Sequence, residues 1–130
     1  MKILLFDKSL EISKQIERNI QNIVSTPSIS KVNNVDELLD QVSNSVFRFL
    51  IIDGDNLEGK FKMLIDIVKK PGARTYVFLF FSFNIEVITD KFLKNGADYC
   101  FDKLCGFDAF IEVFKSTYDE HEAKLSEYNN

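Results

Sequence analysis

Phe47-Arg48-Phe49-Leu50-Ile51-Ile52-Asp53 carries four consecutive apolar residues that stop at an acid. So short a run without alternation fits a strand covered on both faces; a strand with one wet face would alternate apolar and polar residues. The form recurs along the chain. Ile3-Leu4-Leu5-Phe6 ends at Asp7, Tyr76–Phe81 is the longest apolar run, and Tyr99–Phe101 precedes Asp102-Lys103. Ser28–Val32 alternates weakly and supplies a fifth strand candidate.

Between these runs the apolar spacing changes to that of a helix. Leu10, Ile16, Ile20 and Ile23 form one stripe, broken by Pro27; Val35, Leu38, Leu39, Val42 and Val46 form the next, with Asn33 or Asn34 as cap. Leu57, Phe61, Leu64, Ile65 and Val68 make a third, stopped by Pro71-Gly72. Ile85, Ile88 and Phe92 make a fourth, closed by Asn95-Gly96 as a left-handed cap. Phe107, Phe110, Ile111, Phe114 and Tyr118 make the last.

Five strands alternating with five helices describe an α/β chain with a doubly wound, five-stranded parallel sheet. Sites in such sheets lie beyond the carboxyl ends of the strands. Asp7, Asp53 and the residues after Phe81 and Phe101 therefore share one rim.

Composition narrows the function classes. The chain has 130 residues, is 45% apolar and 28% charged, and contains only 2 Pro and 5 Gly, which fits one globular domain. No run approaches the roughly 20 apolar residues of a membrane span, and the start lacks a signal-peptide core. A cytoplasmic location is expected. A net charge of −4 with no basic cluster argues against direct contact with nucleic acid. Cys100 and Cys105 read as free, buried thiols of a reducing compartment. The single histidine, His121, lies too near the C-terminus for a Ser-His-Asp catalyst.

If the first and third strands are neighbours, the carboxylates of Asp7 and Asp53 converge, and two close carboxylates repel unless a cation lies between them or one stays protonated, which invites Mg²⁺. Each could instead simply cap the helix that follows it. Gly54-Asp55-Asn56-Leu57-Glu58-Gly59-Lys60 has the spacing of a phosphate-binding P-loop. It is rejected because Phe61 replaces the metal-holding hydroxyl and two acids would face the phosphates.

Leu4-Leu5-Phe6-Asp7, Leu50-Ile51-Ile52-Asp53, Gly96-Ala97-Asp98-Tyr99 and Lys103 together resemble, in order and spacing, the receiver domain of two-component response regulators. The resemblance covers residues 2–117 and implies the flavodoxin-like receiver fold with strand order 2-1-3-4-5. Residues 1–118 would form that domain, and residues 119–130 a polar extension of the last helix or a linker stub. The resemblance further implies that Asp53 accepts a phosphoryl group from a histidine kinase or phosphotransfer protein. Asp7, Asp53 and the backbone carbonyl of Asp55 would hold Mg²⁺, Lys103 would pair with a phosphoryl oxygen, and Ser82 would act as the switch hydroxyl. Catalysis would be limited to self-phosphorylation and self-dephosphorylation.

The chain departs from that family at several places. Lys8 replaces the usual second acid and would weaken the metal site or supply its own ammonium near Asp53. Phe81 competes with Ser82 for the switch position, Leu104 and Leu57 replace prolines, and Cys100 replaces the mobile aromatic. The alternative is a degenerate pseudo-receiver, a protein-interaction module that works without phosphorylation. Output would pass through the face formed by the fourth helix, fifth strand and fifth helix, to a downstream protein or a second copy. Most aromatics of this stripe are expected in the core, since a helix packed on a sheet buries one stripe; Tyr99, Phe107, Phe110 and Phe114 are the candidate contacts where two or three lie exposed together.

Overall fold

The structure is a computed structural model that describes residues 1–82 and 85–129, with side chains described at 1–82 and 86–125. The strands are β1 (Lys2–Phe6), β2 (Ser28–Val32), β3 (Phe49–Asp53), β4 (Tyr76–Phe81) and β5 (Tyr99–Asp102). The helices are α1 (Leu10–Ile23), α2 (Val35–Asn44), α3 (Phe61–Val68), α4 (Ile85–Lys94) and α5 (Phe107–Asn129). All strand pairs are parallel, in the order β2-β1-β3-β4-β5. The doubly wound sheet expected from the alternation is therefore present, as is the strand order that the resemblance implied.

Each face of the sheet has its own core. Leu4, Phe6, Leu50, Ile52, Val77, Leu79 and Phe81 point to the side covered by α2, α3 and α4. Ile3, Leu5, Phe49, Ile51, Phe78, Phe80 and Phe101 point to the side covered by α1 and α5. Because successive side chains alternate between faces, only a run apolar throughout can feed both cores. That is why Phe49–Ile52 reads as unbroken hydrophobicity.

Local chemistry sets the helix starts. The Ser9 hydroxyl accepts the Ile12 N–H at 3.3 Å, and the Asn34 side chain accepts the Glu37 N–H at 2.9 Å. Asn34, rather than Asn33, is thus the cap of α2. Gly96 has φ +120°, and a Cβ there would collide with Ile65, so glycine is required at that turn. Asp98 ties the turn down: its carboxylate accepts the Val77 N–H and the Lys69 ammonium, each at 2.7 Å.

Several expectations need correction. Val46 lies beyond the end of α2 and is exposed, as is Leu10 at the first position of α1, so neither belongs to a buried stripe. Leu57 is buried but precedes α3 instead of belonging to it. Of the two thiols, Cys100 is half-buried and Cys105 exposed. Burial pushes the Cys100 thiol up to about 11 despite a hydrogen bond with Thr89, so it stays protonated at neutral pH. Phe110 and Phe114 are completely buried against the sheet, and Phe107 is half-buried against Phe80. Of the proposed contact residues only Tyr99 is exposed, because the apolar stripe of a helix packed on a sheet is consumed by that packing. The side chain of Ile85, named above in the fourth stripe, lies outside the described residues.

Helix α5 continues without a break past residue 118. Among the described residues, no helix is long and apolar enough to cross a membrane.

Candidate functional site

Strands β1 and β3 are direct neighbours, with Phe6 paired to Ile52. Asp7 and Asp53 each follow that pair by one residue, so two acids leave adjacent strands at the same level. On the other side of β3, Asp53 pairs with Phe80 and Phe81 pairs with Asp102, while the Lys103 N–H donates to the Phe81 carbonyl at 2.9 Å. The register thus delivers Lys103 to the rim where the acids lie.

The Lys103 ammonium reaches Asp53 Oδ1 at 2.6 Å and Asp55 Oδ2 at 3.1 Å. Asp53 Oδ1 also accepts the Asp55 N–H at 3.1 Å, an Asx turn that shapes the single 3₁₀ turn Gly54–Asn56. Asp53 Oδ2 accepts the Asn56 side-chain amide at 2.6 Å. Asp7 Oδ1 accepts the Ser9 N–H at 2.7 Å. Each acid therefore does organise the loop after its strand, while also joining the common cluster.

The charges are unevenly compensated. Burial, aided by the neighbouring Asp53 and Asp55 charges, pushes the Asp7 carboxyl up from its ordinary value, against the pull of the Ser9 N–H and the more distant Lys103. Burial acts upward on Asp55 as well, but its bonds from Ser82 and Lys103 outweigh that and hold it low. For Lys103, burial would lower the value; the bonds to Asp53 and Asp55 outweigh it and hold the ammonium above its ordinary range. Its contribution to stability is present below pH 10.5 and is lost as pH rises through the folded-state value.

Asp7 has the opposite consequence. An acid whose value is raised by folding destabilises the fold above that raised value, and the penalty vanishes below 3.8, the ordinary one. Asp7→Asn keeps the oxygen that accepts the Ser9 N–H and removes the charge. Its melting temperature is expected to exceed that of the parent at pH 7, with the gain shrinking to nothing below pH 3.8. A scan of melting temperature against pH checks this; a gain independent of pH would contradict it.

The switch position is divided. Phe81 is the last residue of β4, and its ring packs so closely over Gly54 that a Cβ at that glycine would collide with it. Ser82 follows, donating its N–H to both Asp55 oxygens at 3.0 and 3.2 Å. Lys8 is exposed and, among the described residues, forms no ion pair; it borders a cavity of about 250 Å³ with Asp7, Leu10 and Ser13. The cation beside Asp53 is Lys103. Among the described residues, no three His, Cys, Asp or Glu side chains gather in a metal-holding group.

Two contacts were not anticipated from the sequence, namely the Asn56 amide on Asp53 and the Asp55 carboxylate on Lys103. An Asp followed two and three residues later by Asp and Asn is an Asx-turn signal that could have suggested the first.

No family model and no curated protein matches the chain. Solved structures do. The signal receiver domain of a DNA-binding response regulator from Colwellia psychrerythraea aligns with TM-score 0.76 at 17% identity, covering 92% of this chain and 98% of that one. The receiver domain of a Francisella response regulator aligns with TM-score 0.74 at 18% identity over the same shares, 92% and 98%. A response regulator from Burkholderia pseudomallei, solved with a phosphorylated aspartic acid, a calcium ion and citrate, gives TM-score 0.69 at 16% identity, covering 99% of this chain and 75% of that one. This chain has the receiver fold.

Proposed function

We propose that this chain is a signalling receiver in which Asp53 accepts a phosphoryl group from a histidine kinase or phosphotransfer protein. The observation that carries the reading is the Lys103 ammonium, 2.6 Å from Asp53 Oδ1 at the strand-end rim that also bears Asp7. An ammonium so placed would neutralise charge on the transferring oxygens, where most of the work of phosphoryl transfer lies. The Burkholderia pseudomallei neighbour with its phosphorylated aspartic acid supports the same assignment. Its only chemistry would be gain and loss of that group, with output through protein contacts, to a downstream target or a second copy.

Mg²⁺ belongs to this reading. Asp7, Asp53 and Asp55 share one ammonium, a charge balance that a divalent cation would improve. Mg²⁺ commonly takes one or two carboxylates and completes its shell with water, so an all-protein cage is not required. Asp7, Asp53 and the Asp55 carbonyl would hold it, and it would supply further neutralisation of phosphoryl charge.

A second reading is favoured by one observation: Asp53 is only 1% exposed and both its oxygens are occupied by donors. In that reading the domain is a pseudo-receiver that binds partners without phosphorylation.

Acetyl phosphate with Mg²⁺ separates the two. The expected result is an acid-stable, base-labile gain of about 80 Da, the mass of one phosphoryl group, that is absent from Asp53→Asn and lost when Mg²⁺ is chelated. No gain at Asp53 after prolonged incubation would leave the pseudo-receiver.

A further inference from the structure

We propose that Asn56 is a latch on Asp53, and that release of its carboxamide admits the phosphoryl donor to the reacting oxygen. This rests on the phosphoacceptor reading above. The two Asp53 oxygens are held in different ways. Oδ1 is bound by the Asp55 backbone N–H and by an ammonium that is itself clamped between two carboxylates. Neither donor can leave without disturbing the turn or orphaning a charge. Oδ2 is bound at 2.6 Å by the half-buried Asn56 side chain. That donor can leave by rotating about its own side-chain torsions, exchanging Asp53 for water.

Oδ2 is therefore the oxygen that can be uncovered. Once free, its lone pair attacks phosphorus; the new O–P bond forms as the P–O bond to acetate breaks, and the electron pair departs with acetate. No proton has to move, and Lys103 remains on Oδ1 beside the phosphoryl oxygens. With Asn56 in place the attacking lone pair is engaged and Asp53 is 1% exposed. Asn56 is a positioning residue, acting on the rate through the availability of Asp53.

Labelling by acetyl phosphate in Mg²⁺ is measured for the parent, Asn56→Ala, Asn56→Gln and Asp53→Asn, with thermal melting to verify folding. Asn56→Ala is expected to label at Asp53 about tenfold faster at saturating donor, the factor one side-chain hydrogen bond to a charged group is worth. The half-saturating donor concentration is expected to stay the same. Asn56→Gln, which keeps an amide donor, is expected to return the rate towards the parent's, a rescue that a purely structural role would not produce. Labelling of parent and Asn56→Ala at equal rates, or slower labelling of the variant, overturns the latch and leaves the acceptor standing. Absence of label in both, beside a labelled control receiver in the same mixture, removes the acceptor and the latch together.

Discussion

Replacing Lys103 with methionine is expected to lower the melting temperature by about 10 °C or more and to abolish labelling at Asp53. The Lys103 side chain is 10% exposed and that of Asp53 1%, so their ion pair at 2.6 Å lies in a largely dry setting. Removing one partner of such a pair leaves an uncompensated charge, which costs roughly 3–5 kcal/mol. In a domain of this size each kcal/mol corresponds to roughly 3–5 °C. Adding Asp53→Asn to the variant is expected to recover part of the stability, since the orphaned carboxylate disappears. A double variant no more stable than Lys103→Met alone would show that the ammonium does not serve to neutralise Asp53.

The second large effect lies in the sheet. Phe78→Ala is expected to destabilise the fold by roughly 3–5 kcal/mol, as found for buried aromatics truncated to alanine. Phe78 is completely buried, with its ring centroid 5.2–6.1 Å from those of Phe49, Tyr99, Phe101, Phe110 and Phe114. It therefore joins three strands to α5, and no single neighbour can move in to fill the space. Phe78→Leu is expected to cost well under half as much, because most of the volume remains. Urea unfolding measures both; a midpoint for Phe78→Ala close to the parent's would mean that the cluster repacks. A shift at unchanged slope would confirm a loss confined to stability.

The cluster also explains how the aromatics divide between core and surface. A helix packed on a sheet buries one stripe, so most of the thirteen phenylalanines are expected in the core, with an interface only where two or three lie exposed together. Phe110 and Phe114 complete the core beneath α5, and among the described residues exposure is left to Tyr99 and to aliphatic positions such as Val87 and Leu104. Helical spacing identifies a stripe without revealing how deeply its helix sits. Depth depends on the residues across the contact, here Phe78 and Phe49, which lie far away in the chain.

The candidate site divides in a similar way. That Asp7 and Asp53 would end two strands on one rim was legible from two apolar runs stopped by acids; that those strands are neighbours and that Lys103 would join them followed from the resemblance. The occupants of each Asp53 oxygen were not legible. Lys103 and Asn56 differ from Asp53 by 50 and 3 positions in the chain, yet both donate to the same carboxylate at 2.6 Å. Spacing alone left Phe81 and Ser82 as rivals for the end of β4, because a shift of one residue exchanges the two faces of a strand. The register placed Phe81 opposite Asp102 and turned its ring onto Gly54.

What the amino-acid order determined by itself was the architecture: five strands, five amphipathic helices, and a rim where acids end two of the strands. Such features arise from local hydrophobic period and turn chemistry, which each segment carries independently of its neighbours. Tertiary structure alone decided that Lys103 and not Lys8 compensates Asp53, that Asn56 covers the remaining oxygen, and which aromatics are buried. Those outcomes depend on ångström-scale distances between side chains, set only when strand register and helix packing bring distant segments together.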